Sequence, residues 1–129
     1  MVLPELVTIL ALLQLVFFSI LVGRARHRLG VRAPAVSGNE LFERYYRVQM
    51  NTLELLVLLL PALWIAATVV ASYWAALLGA IYLVGRFVYL RAYLAEPSRR
   101  SLGFALSMLP ILALLAIDLI GVLYRLIQG

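Results

Sequence analysis

The sequence predicts an all-α integral membrane protein, a bundle of four transmembrane helices forming one domain over residues 1–129. Three observations predict it. Hydrophobic residues make up 65% of the chain and the mean hydropathy is +1.03, whereas a soluble domain is close to half apolar. The apolar stretches have bilayer-spanning lengths and are separated by turn-forming residues. Ten of the 11 arginines fall within 24–47 and 86–100, which an even number of spans places on one side of a membrane.

The first helix is predicted at about 3–28. Leu6 to Gly23 is uncharged and long enough to cross a bilayer. Glu5 precedes it with no basic leader, so the stretch reads as a retained helix rather than a cleaved signal. It ends in Arg24, Arg26, His27, Arg28 and Arg32, followed by the loop 33–39. Asn39 suits the N-cap of a second helix, with Glu40 and Glu43 in its first turn.

From Glu40 to Arg99 no long polar break occurs. A single helix of that length would run about 90 Å, so the chain must reverse. The stretch 71–74 is the expected turn, since Ser starts turns and Tyr and Trp favour the interface. This divides the region into helices at about 40–70 and 74–95. Glu96-Pro97-Ser98 ends the third, and a fourth follows at about 101–127, with Arg99 and Arg100 at its start. Pro61 and Pro110 are positions for kinks, which membrane helices tolerate. By the positive-inside rule the Arg-rich loops are cytoplasmic and both termini lie opposite. Composition points loosely to a bacterial inner membrane.

With no Cys and one His, disulfides, thiolate metal sites, a protein thiol nucleophile and a zinc site are excluded. No metal and no nucleic-acid partner is expected, and any sulfur chemistry must come with a ligand.

Charges at membrane depth are costly and usually serve a function. Arg47, Asn51 and Glu54 at i, i+4, i+7 share one helix face, which Arg44 could extend. Gln49 lies about 160° round the helix from Arg47 and should face another neighbour. Arg86, Tyr89 and Tyr93 form a second stripe, continued backwards by Tyr82. A structural ion-pair network, or tyrosines used only for packing, would also account for these stripes. Together on adjacent helices they suit a small anionic ligand. Guanidinium groups would take its carboxylates and Glu54 an ammonium, with Asn51 and the tyrosines adding directional bonds. A zwitterionic peptide with two carboxylates matches. Asp118 stands alone in the fourth helix and receives no role. So much polar material in a small bundle also calls for a symmetric oligomer with its site between subunits.

Glu43, Arg44, Arg47, Asn51 and Glu54 resemble the motif E-R-x-x-R-x-x-x-N-x-x-E of the membrane-associated proteins in eicosanoid and glutathione metabolism (MAPEG). Arg86, Tyr89, Tyr93 and Arg100 resemble its second signature, R-x-x-Y-x-x-x-Y-x6-R. The likeness covers essentially the whole chain and is nearest to microsomal glutathione transferases and leukotriene C4 synthase. It implies a homotrimer holding glutathione between subunits, as co-substrate. It also implies contacts from Arg47, Gln49, Asn51, Glu54, Arg86, Tyr89 and Tyr93, with Arg26 supplied by the adjacent subunit. Arg100 matches the arginine that activates the thiol. The implied reaction joins glutathione to a lipophilic electrophile or reduces a lipid hydroperoxide, either one arriving from the membrane lipids.

Leu55 stands where some relatives carry a contacting Tyr, Val57 where a Pro is common, and His27 where the synthase branch has Arg. These departures favour a bacterial or generalist transferase over an eicosanoid enzyme. The alternatives are a non-catalytic lipid-binding scaffold of the same family and a small four-helix multidrug transporter. The transporter typically carries a key Glu inside its first helix, and none is found there.

Overall fold

The computed structural model describes residues 1–129 and consists of helices joined by short connections: α1 Val2–Leu29, α2 Glu40–Val69, α3 Ser72–Ala95 and α4 Ser101–Gln128. All four are long and apolar enough to cross a membrane.

The helix ends follow from local chemistry. α1 stops at Gly30, whose φ of 71° is left-handed and whose amide bonds back to the Arg26 carbonyl. Asn39 caps α2 by accepting from the Phe42 amide at 3.0 Å, and Glu43 accepts from the Gly38 amide at 3.4 Å. α2 runs unbroken through Pro61, and α4 through Pro110.

Two boundaries differ from expectation. The reversal after α2 is confined to Val70 and Ala71, and α3 already begins at Ser72. The first helical amides need no intrahelical acceptor, so Ser72, Tyr73 and Trp74 fit the first turn as readily as a loop. Tyr73 and Trp74 stay exposed there, with ring centroids 5.1 Å apart. Before α4, Pro97–Arg99 form a 3-10 turn and Arg100 is the N-cap, so Arg99 belongs to the connection instead. Arg99 pairs with Glu96 at 3.2 Å, across that break.

α2 and α3 each pack against all three other helices, while α1 and α4 flank them. The core joins Leu55, Leu59, Leu63 and Ala66 of α2 to Ala11, Ala75, Ile111 and Leu114. The outer surface carries Leu13, Phe17, Val57, Val84, Leu112 and Leu119, as contact with lipid requires. At the end away from the basic loops, Arg125 donates to the Thr68 carbonyl and hydroxyl, closing the C-terminus of α2.

The α3–α4 contact positions the site. A Cβ at Gly85 would lie 2.7 Å from the Leu106 carbonyl carbon and 2.8 Å from the Ser107 nitrogen. One at Gly103 would collide with the Tyr89 backbone. Only glycine allows the two backbones this close, and their approach sets Arg86 against Ser107. Gly85→Ala is therefore expected to cost about 1–3 kcal/mol, as overpacking does. Thermal unfolding in detergent measures it; an unchanged midpoint would mean the helices separate freely.

Candidate functional site

Arg86 is the largest wholly buried side chain of the protein, at 0% exposure. Its Nε donates to Ser107 Oγ at 2.9 Å. Its Nη1 donates to Asn51 Oδ1 at 2.8 Å and to Thr52 Oγ1 at 3.1 Å. Ser107 passes the chain on to the Gly103 carbonyl at 2.7 Å. The guanidinium also lies over the Tyr89 ring, 4.3 Å from its centroid, and Tyr82 is 5.9 Å away. Tyr89 and Tyr93 continue the cluster with centroids 5.4 Å apart.

No carboxylate pairs with Arg86; the ion pair in the structure is Arg99–Glu96. Burying an unpaired cation costs several kcal/mol, which neutral acceptors and aromatic faces offset only in part. Arg86 Nη2 has no hydrogen-bond partner. The consequence for Asn51 is specific. Its carbonyl oxygen is committed to Arg86, so its amide NH2 remains to donate elsewhere from a half-buried position.

Arg47 and Glu54 flank Asn51 on the same face of α2, and both are exposed. Neither forms an ion pair within the chain, so an intramolecular ion-pair network does not explain them. Arg47 borders a groove with Val36, Ser37, Glu43 and Tyr46. Glu54 directly precedes the apolar run 55–70.

Arg44 does not extend this stripe. Its Nη1 donates to the Leu94 carbonyl at 3.0 Å and the Ala95 carbonyl at 3.3 Å, closing the C-terminus of α3. Gln49 turns to α1, where its Nε2 donates to Ser19 Oγ at 3.0 Å. Arg26 ties α1 to the following loop by donating to the Ala35 carbonyl at 2.7 Å, and lies 4.8 Å from the Phe42 ring centroid. Arg100 is exposed beside the α3–α4 break and donates to the Pro97 carbonyl at 2.9 Å.

The single chain thus brings together Asn51, Arg86, Tyr89 and Tyr93. Arg47, Glu54 and Arg100 are left exposed, and Gln49 and Arg26 point to α1 and its loop. Sequence reasoning missed Thr52 and Ser107. Ser107 had a signal: Gly103 and Ser107 form a small-xxx-small pair in an apolar helix, a pattern of close membrane-helix contact. Asp118, at 5% exposure, has no hydrogen-bond partner for either carboxylate oxygen.

The sequence profile of the MAPEG family matches residues 4–120. An uncharacterised protein of Synechocystis sp. is 44% identical over 125 residues, covering 97% of this chain and 91% of that protein. Microsomal glutathione S-transferase 2 of Homo sapiens is 39% identical over 111 residues, covering 86% of this chain and 75% of the relative. Leukotriene C4 synthase of Bos taurus is 34% identical over 117 residues, covering 91% and 78% respectively. Four spanning helices, a profile match over nearly the whole length and relatives at 34–44% identity make one conclusion: the chain is a multi-pass membrane protein belonging to the MAPEG family.

Proposed function

We propose that the protein is a membrane-bound glutathione transferase, active as a homotrimer that holds glutathione between neighbouring subunits. One observation carries this most directly. Arg47 and Glu54 are exposed and unpaired on either side of Asn51, whose amide Arg86 holds in one orientation. Unpaired charge on a spanning helix is costly and calls for a cover that pairs it. A neighbouring subunit together with a zwitterionic peptide supplies that cover.

The chemistry of the ligand matches the donors. Arg47 suits a carboxylate, Glu54 the ammonium, and the Asn51 NH2 and the Tyr89 and Tyr93 hydroxyls the peptide groups. Arg26 and Gln49, which lie towards α1, are the residues a subunit would lend to its neighbour's site. A thiol of the cysteine type has a pKa of about 8.5, so little is ionised at neutral pH. Arg100 beside the sulfur would favour the thiolate. The sulfur then forms a bond to an electrophilic carbon, and the leaving group departs with its bonding pair. Lipid hydroperoxides are a second acceptor class. Holding a water-soluble nucleophile against a membrane-borne acceptor itself raises the rate. The Arg-rich end, and the site with it, faces the cytoplasm in this proposal.

Glutathione binding measured by equilibrium dialysis tests the site. Glu54→Gln is expected to weaken affinity about tenfold, the loss of one charge-assisted contact. Unchanged affinity would remove Glu54 from the site.

A further inference from the structure

We propose that a groove at the basic end of α1 binds an anionic phospholipid, with Arg24 and Arg28 on its phosphate and Ile20 and Leu21 along an acyl chain. The groove has a volume of about 730 Å³ and is closed on one side by Tyr45 of α2. It is two-sided by construction. Ile20 and Leu21 line its lower part; Arg24, His27 and Arg28 line its upper part. No acidic residue borders it.

Arg24 and Arg28 share their freedom from protein partners with Arg32, Arg47 and Arg91, but they alone line this groove. Arg26, Arg44, Arg86, Arg99, Arg100 and Arg125 each bond to a protein group. Arg24 and Arg28 are exposed, and neither takes part in the ion pair or the side-chain hydrogen bonds of the subunit. They are i, i+4 neighbours on one face, directly after the uncharged run 6–23. That is the depth at which lipid phosphates sit above their chains. Paired guanidinium groups match phosphate oxygens in geometry as well as charge. Phosphatidylcholine also offers a phosphate, but its quaternary ammonium would meet the same cations and be disfavoured. Arg26 lies about 160° round α1 from both residues and lines an adjoining groove, which shares only Gly23 and His27 with this one.

The test is native mass spectrometry of the full-length protein in detergent, titrated with phosphatidylglycerol or phosphatidylcholine. The wild type is expected to retain phosphatidylglycerol preferentially. Arg24→Gln with Arg28→Gln should lower that retention roughly thirtyfold, at about fivefold for each interfacial arginine. Arg91→Gln removes another exposed cation, on α3, and should leave retention unchanged. Equal retention of both lipids, or an equal drop in Arg91→Gln, would overturn the proposal in favour of general surface charge. Displacement of the lipid by inorganic phosphate would make it a free-phosphate site. Displacement by glutathione would merge the groove with the transferase site, and either displacement also overturns it.

Discussion

Arg100→Ala is expected to lower the rate of glutathione conjugation by about 10²–10³-fold, the usual cost of removing a group that stabilises charge at the reacting atom. Glutathione affinity should stay within about threefold, because the proposal gives the anchoring contacts to other residues. Arg100 is exposed, its one side-chain hydrogen bond is to the nearby Pro97 carbonyl, and it donates no hydrogen bond to the buried cluster. Its loss should therefore leave the fold intact. Conjugation rates and binding constants measured on the same preparation decide the matter. Parallel loss of both would make Arg100 a binding residue rather than the group at the sulfur.

Arg86 should behave in the opposite way. Arg86→Ala is expected to cost about 3–5 kcal/mol in stability, because it empties the largest wholly buried side chain and little can collapse into the space. Arg86→Met separates the contributions. Methionine fills most of the volume and removes the desolvated charge, but leaves Asn51 Oδ1 and the buried Thr52 Oγ1 without their donor. Its stability should fall by about 1–3 kcal/mol, less than in Arg86→Ala, yet glutathione affinity should fall about tenfold because Asn51 loses the donor that orients it. Calorimetric unfolding and equilibrium dialysis on the two variants check both parts. Wild-type affinity in Arg86→Met would show that Asn51 needs no such orientation.

The four spans were legible because hydropathy, turn residues and arginine asymmetry agree, and because lipid leaves helices few alternatives. The Asn39 cap was legible for a local reason: an amide side chain, two acids and an apolar run stand in the right order. The start of α3 was less so, since Ser72 is as acceptable at a first helical position as in a turn. Within the site, the Arg47/Asn51/Glu54 face follows from helix periodicity alone. The role of Arg44 does not. α3 ends without a basic residue in its last turn, and only the packing of α2 beside it brings Arg44 to those carbonyls. Burial of Arg86 likewise depends on Gly85 and Gly103 letting α4 approach, which brings Ser107 into reach across 21 residues. Pairing of this kind is a tertiary property, and the family resemblance pointed to the arginine without showing what holds it.

The most direct measurement is the initial rate of glutathione conjugation to an aryl halide by the purified wild-type protein in detergent. The expected result is turnover that is proportional to protein and saturates with glutathione. Well-folded protein that turns over neither the aryl halide nor a lipid hydroperoxide, while still binding lipid, would contradict the transferase assignment and leave a lipid-binding scaffold in its place.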